Sequence, residues 1–289
     1  MELWFTEQHT PNVRLSLKVE RQLFSETSEF QRVDIFDSQE FGRILVLDGR
    51  IMITERDEFI YHEMITHVPL CVNPQIKKVL LVGGGDGGSA RELLKYDTIE
   101  KIDLVEVDET VVRACRKFIP QTAGCLDNPR VEIFFADALK FVRRKSDEYD
   151  LIIVDSTDPS GAGEGLFTKE FYGNCFNALK SAGILINQHE NPFYNRDALA
   201  MERAHKKMTS CFPIVRVYQI NIPTYPAGQW LFGFASKKYH PTVDADCAAW
   251  ENLQIETRYY NKGIHFGAFA LPTYVIKKLS SAELEGKNF

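Results

Sequence analysis

Two hydrophobic rhythms divide the chain. In the first 54 residues apolar side chains alternate with polar ones: Leu15, Leu17 and Val19 are interleaved with Ser16, Lys18 and Glu20. Period two marks a half-buried strand. Residues 30–36 and 43–47 read as further short strands, with Gly42 and the Asp48-Gly49 pair as turn residues between them. The pattern predicts one small antiparallel sheet of β-hairpins over residues 1–54. Such a sheet is marginal alone and must pack on something. From residue 55 the period changes. Phe59, Ile60, Glu63, Met64 and His67 recur at helical spacing and predict a helix over residues 55–68.

From residue 77 onward, strand, loop and helix repeat. Strands are predicted at 78–82, 101–107, 130–135, 151–154 and 184–187. Helices are predicted at 89–96, 109–118, 138–144, 168–179 and 197–211, with Thr168 as an N-cap. Alternation of this kind predicts an α/β fold, a mostly parallel sheet with helices on both faces, over residues 55–289. Residues 214–222 and 229–235 have no long helix between them and predict an antiparallel hairpin at the sheet edge.

Ligands bind at the carboxyl ends of the strands in such a sheet, so the residues after each strand carry the chemistry. The first strand runs into the loop Gly83-Gly84-Gly85-Asp86-Gly87-Gly88. Glu106, with Asp108 close by, follows that loop by about 20 residues, the spacing at which an acid holds a ribose diol. Asp137 follows the third strand, and Asp155-Ser156-Thr157-Asp158-Pro159 the fourth. Loop and spaced acid together point to an adenosine-type ligand.

Asp86 narrows this further. A carboxylate there repels a phosphate, and equally the amino-acid carboxylate of S-adenosylmethionine, but attracts an ammonium. The pattern asks for an adenosine whose tail is cationic and lacks an acid; the bland alternative is an Asp86 that caps the helix or faces solvent. Asp86, Glu106, Asp137, Asp155 and Asp158 share one rim, with Tyr61, His62 and Tyr225 as neighbours. Acids with aromatic walls suit a polyamine. Asp155 and Asp158 taken alone also fit a plain strand-end turn at Pro159.

Composition removes several classes. The 34 basic residues against 40 acidic give a net charge of −6, with no basic block for nucleic acid. No apolar run reaches membrane-spanning length. Residues 1–10 lack the basic start and apolar block of a secretory leader. The six cysteines are scattered without a metal or disulfide pattern, so reduced thiols and a cytoplasmic location are expected.

Five segments together, Tyr61-His62-Glu63-Met64, the Gly83–Gly87 loop, Val105-Glu106-Val107-Asp108, Asp155-Ser156-Thr157-Asp158-Pro159 and Ile222-Pro223-Thr224-Tyr225-Pro226, resemble the aminopropyltransferases, the spermidine synthase family most closely. Tyr259-Tyr260-Asn261 and Ala268-Phe269-Ala270-Leu271-Pro272 extend the resemblance over essentially the whole chain. It implies a Rossmann-like, methyltransferase-type sheet and transfer of an aminopropyl group from decarboxylated S-adenosylmethionine to putrescine. Spermidine and 5′-methylthioadenosine would be released, and no metal is needed.

The resemblance implies Asp155 as general base, and Gln31, Gly83, Gly85, Asp86, Glu106, Asp108, Asp137 and Ala138 around the donor. Tyr61, His62, Asp86, Asp155, Ser156, Thr157, Asp158 and Tyr225 would surround the amine substrates. It also implies a homodimer or homotetramer. Ala162 departs from the proline of many bacterial members. Residues 160–165, with three glycines, read as a lid or an ordinary surface loop. Acceptor contacts are expected from Gln188-His189-Glu190-Asn191. Three rivals stay open: another acceptor (agmatine, cadaverine or spermidine), an S-adenosylmethionine-dependent methyltransferase, and a non-catalytic nucleoside-binding or assembly protein.

Overall fold

The structure, a computed structural model, describes residues 2–156 and 165–286. The N-terminal hairpins form two sheets where the alternation predicted one. Strands β1 (Leu3–Thr10) and β2 (Val13–Val19) make an antiparallel ribbon. Strands β3 (Arg21–Thr27), β4 (Arg32–Ser38), β5 (Gly42–Leu47) and β6 (Arg50–Thr54) make a four-stranded meander. Only Glu20 separates β2 from β3. The ribbon therefore folds over and buries Leu17 and Val19 against Ile44, Val46 and Ile51. β1 escapes a hydrophobicity reading because its polarity is inverted: Glu7 is buried, while Leu3 and Trp4 are exposed.

Helix α1 (Glu58–Val72) runs four residues past its predicted end, through Pro69. Every residue except Phe59 is buried, since its core cluster draws side chains from both the meander and the main sheet. Its Glu63 accepts the backbone N–H groups of Arg258, Tyr259 and Tyr260, each at 2.8 Å. This carboxylate fastens the C-terminal part of the chain to the helix.

The main sheet contains β7 (Lys78–Gly83), β8 (Lys101–Glu106), β9 (Val131–Phe135), β10 (Tyr149–Asp155), β11 (Leu179–Gln188), β12 (Ile214–Asn221) and β13 (Gln229–Ser236). Their order is β12-β13-β11-β10-β7-β8-β9. β11, β10, β7, β8 and β9 are parallel; β13 is antiparallel to β11 and to the edge strand β12, as the sequence predicts. Helices α2 (Gly88–Leu93), α3 (Glu109–Phe118), α4 (Pro120–Ala123), α5 (Ala138–Val142), α6 (Lys169–Ala178) and α7 (Asn195–Thr209) fill the connections. Thr168 caps α6 by accepting the Phe171 N–H. After β13 the chain ends in the helices α8 (Cys247–Asn252), α9 (Lys262–Ala268) and α10 (Thr273–Gly286).

Strand order reverses between β7 and β10. Successive strands leave β7 toward β9, and the chain then returns to build β10 and β11 on the other side. A crevice opens at such a reversal. Asp155 and Gly83 are register partners there, which sets the glycine loop beside the Asp155 strand end.

No helix of the described residues is long and apolar enough to cross a membrane. The six cysteines are free thiols, although folding brings the Cys71 and Cys247 sulfurs to 3.1 Å.

Candidate active site

A cavity of about 610 Å³ opens at this crevice, between the meander, the amino end of α1 and the carboxyl ends of the parallel strands. Of the residues singled out in the sequence, Gln31, Tyr61, His62, Gly83, Gly85, Asp86, Glu106, Asp137, Ala138, Asp155, Ser156 and Tyr225 line it. Thr157, Asp158, Ala162 and residues 160–164 of the expected lid lie outside the described residues. Gly165 is described and lines the cavity.

The glycine loop is shaped by close approach. Gly83 has φ +76°, and a Cβ there would lie 2.1 Å from the Asp155 carbonyl oxygen. At Gly88 a Cβ would meet the His62 ring at 2.1 Å. Bare backbone at these points lets β7, β10 and α1 converge.

Asp86 does two things at once. Its Oδ1 accepts the Gly88 N–H at 2.8 Å and faces His62 Nε2 at 3.3 Å. The helix-capping alternative is thus partly realised, yet the carboxylate still lines the cavity. His62 Nδ1 lies 2.6 Å from Glu58, which takes two further bonds from Arg91 at 2.8 and 2.9 Å. Burial opposes charge on all three groups, but mutual attraction and hydrogen bonding win. Asp86 and Glu58 are held below the usual carboxylate range, and His62 well above its ordinary value. His62 reaches the cavity wall but commits both nitrogens to carboxylates, so it positions and charges Asp86.

Asp155 behaves oppositely. Burial, and then the charge of Asp86, push it up to about 6 despite His62 and donation by Ser89 at 2.6 Å. Tyr61 supplies a second hydroxyl toward it. Two carboxylates in one cavity, one pinned ionised and one lifted toward neutrality, are the arrangement of a charge anchor and a proton acceptor.

The other half of the cavity is lined by Gln31, Glu106, Asp137 and Ala138. Burial pushes Glu106 up to about 7 although the backbone N–H groups of Asp108, Val107 and Gly85 stabilise its charge. Asp137 accepts the N–H groups of Leu139 and Lys140 at the start of α5. Asp108 corrects an expectation: it does not line the cavity. It is buried, caps α3, and accepts from Ser28 and from Gln31 Nε2 at 3.2 Å. It orients Gln31 and stands behind the wall.

Tyr225 donates to the Met52 carbonyl at 2.9 Å, joining the loop after β12 to the meander. Gln188 and Glu190 line the cavity, whereas His189 and Asn191 do not. β11 ends at Gln188, and Glu190 follows with a left-handed backbone, φ +68°. Sequence reasoning missed Ser89, Glu58, Arg50, Trp230 and, on β1, Glu7 and His9. Glu58 was detectable at four residues before His62, and Ser89 at three after Asp86; nothing local marked the β1 pair.

The comparisons agree with this geometry. Residues 58–246 match the family model described as the spermine/spermidine synthase domain, and residues 3–55 that of the spermidine synthase tetramerisation domain. The chain is 63% identical over 275 residues to a polyamine aminopropyltransferase of Clostridium beijerinckii, covering 95% of this chain and 97% of the relative. It is 61% identical to that of Alkaliphilus oremlandii, covering 98% and 100%. A crystal structure of spermidine synthase in complex with the transition-state analogue AdoDATO superposes with TM-score 0.94 at 45% identity, over 96% of this chain and 95% of the other. The Thermotoga maritima spermidine synthase gives 0.91 at 43%, over 96% and 94%. The chain, a transferase, belongs to the spermidine synthase family of polyamine aminopropyltransferases.

Proposed function

We propose that this protein transfers the aminopropyl group of decarboxylated S-adenosylmethionine to putrescine, giving spermidine and 5′-methylthioadenosine. One observation carries the reading: a single cavity joins Glu106, suited to a ribose diol, to the ionised Asp86 and the proton-accepting Asp155. Glu106 holds the ribose, while Asp137, Ala138 and Gln31 face the nucleoside. Asp86 takes the donor's amine, and its negative charge disfavours the carboxylate that S-adenosylmethionine would bring.

The acceptor is a diamine whose ends carry a proton at neutral pH. Burial beside a sulfonium lowers the pKa of the attacking ammonium. Its proton passes to Asp155. The freed lone pair attacks the carbon next to sulfur, and the C–S electron pair stays on sulfur as a neutral thioether. Tyr61 and Ser156 border this point; Thr157, Asp158 and Tyr225 are assigned to the amine by resemblance. The chain's main contribution is in-line positioning of nitrogen, carbon and sulfur.

No metal enters this reading. His62, Asp86 and Asp155 offer atoms within 4.8 Å of one another, but His62 Nδ1 is taken by Glu58 at 2.6 Å and its Nε2 faces the Asp86 carboxylate at 3.3 Å. We assign residues 1–54 to assembly into a dimer or tetramer and 55–289 to catalysis, in the cytoplasm. The match to a tetramerisation domain and the exposed Leu3 and Trp4 on β1 support the first assignment.

The test mixes purified protein, donor and a panel of amines, with products identified by mass. Putrescine is expected to be converted, and Asp155→Asn to lower turnover by about 10³-fold while methylthioadenosine still binds. A near-normal rate in that variant removes the base assignment. Absence of transfer to any amine removes the function.

A further inference from the structure

Two thiols meet in the core at the end of α1 remote from the cavity. Cys71, in the last turn of α1, and Cys247, the first residue of α8, are 176 positions apart in sequence, yet their sulfurs lie 3.1 Å apart. Cys71 stands about 14 Å further along the helix axis than His62. The Asp246 N–H donates to the Cys71 carbonyl at 3.0 Å, so the two backbones are tied beside the sulfurs. Both side chains are buried. Buried thiols are often plain apolar filling, but this pair has a base beside it. One ring nitrogen of His265, on α9, and both sulfurs lie within 4.8 Å of one another. His265 Nε2 faces the Pro241 carbonyl at 2.9 Å. A carbonyl only accepts, so Nε2 carries the proton and Nδ1 the lone pair. The Tyr260 hydroxyl lies 2.8 Å from Nδ1 and reaches the Cys71 sulfur.

We propose that Cys71 and Cys247 are an oxidant-sensitive pair that closes to a disulfide between α1 and α8, with Tyr260 and His265 as the relay that accepts the thiol proton. The step balances with hydrogen peroxide. Cys71 passes its proton through the Tyr260 hydroxyl to His265 Nδ1. The thiolate cleaves the O–O bond, leaving a sulfenic acid and a hydroxide, which recovers the proton from His265 as water. Cys247 then attacks the sulfenic sulfur. The S–S bond forms, and hydroxide departs with the Cys247 proton as a second water. Two thiols give up two electrons, and one peroxide becomes two waters. Peroxide enters when α8, a helix of six residues, opens locally. A metal ion is the poorer occupant, because Tyr260 already donates to the Nδ1 lone pair. The other titratable groups around the pair have their own tasks. His67 lies between Glu92 at 3.0 Å and Tyr96 at 2.7 Å, Asp246 caps α8, and Glu63 holds the Tyr260 N–H.

The test treats the reduced, intact protein with hydrogen peroxide and maps its peptides by mass. A cross-linked Cys71–Cys247 peptide pair is expected, reversed by a dithiol reductant. The melting temperature should rise by about 5–10 °C, since the bond closes a long loop. Cys71→Ser and Cys247→Ser should each abolish that rise. Oxidation confined to the half-buried Cys125 and Cys211, with Cys71 and Cys247 still thiols, overturns the proposal. So does a sulfinic acid at either residue without a cross-link. This mapping uses wild type and decides the matter even if a serine variant fails to fold. The pH dependence tests the relay. Burial holds the Cys71 thiol above its usual range and His265 below its own. A thiol ionised by solvent would close about tenfold faster per pH unit. One that gives its proton to neutral His265 should close at a nearly constant rate between about pH 7 and 8.5. Tyr260→Phe, which cuts the relay and keeps the ring, should restore the climb. A wild-type rate that climbs tenfold per unit overturns the relay. None of these readouts depends on aminopropyl transfer.

Discussion

Ser89 donates its hydroxyl to Asp155 across 2.6 Å, from the first turn of α2 to the end of β10. The bond stabilises the ionised form and holds Asp155 down against burial and Asp86. Removing it with Ser89→Ala should lift Asp155 above about 6. A general base must be deprotonated to act. The acid limb of the kcat/KM profile should therefore move to higher pH, with a loss of about threefold at pH 7. A profile that stays in place separates Asp155 from the rate.

Glu106 predicts a second pH dependence, in binding alone. Its carboxyl titrates near 7, and only the ionised form can accept from both ribose hydroxyls. Methylthioadenosine carries no amine for Asp86, so its affinity reports Glu106. Calorimetry should show affinity falling below pH 7, by up to about tenfold per pH unit. Glu106→Gln should bind weakly at every pH and flatten the curve.

The Arg91–Glu58–His62–Asp86 chain predicts a stability window. Glu58 is lowered from 4.5, so its contribution is present above that value and lost as pH falls through the native pKa. His62 is raised well above 6.5, so its contribution is present below 6.5 and lost as pH rises through the native pKa. Both operate fully between roughly pH 4.5 and 6.5. Glu58→Gln strands buried charge and should cost about 3–5 kcal/mol in urea unfolding. Its deficit against wild type should be largest within that window; a deficit independent of pH would contradict the pairing.

Gly88→Ala tests the packing of the loop. The added methyl would stand 2.1 Å from the His62 Cε1, on a ring already fixed by two carboxylates. Overpacking of this kind costs about 1–3 kcal/mol. The melting temperature should drop and activity should fall through the displaced Asp86. A variant as stable and active as wild type would show that His62 has room to move.

The parallel sheet and most of the cavity wall were legible in the sequence, because both rest on local rules. Short apolar strands alternating with capped helices dictate a parallel sheet. Its strand ends then place Gly83, Asp86, Glu106, Asp137 and Asp155 at one rim, where all five line the cavity. Binary patterning failed at β1, where the buried side chain is Glu7 and apolar Leu3 and Trp4 face outward. It also failed to separate the two N-terminal sheets, since a fold at the single residue Glu20 leaves the alternation intact.

What only tertiary structure decided is which charges face each other. Asp108 stands next to Glu106 in sequence yet lies behind the wall, because cap geometry at α3 turns it toward Gln31. His9 and Asp197 lie far apart in the chain and meet at 3.0 Å only when the ribbon reaches α7. Residue type and period are properties of neighbours along the chain. Electrostatic coupling depends on distance in space and on the exclusion of water, and both come into being only with the folded cavity.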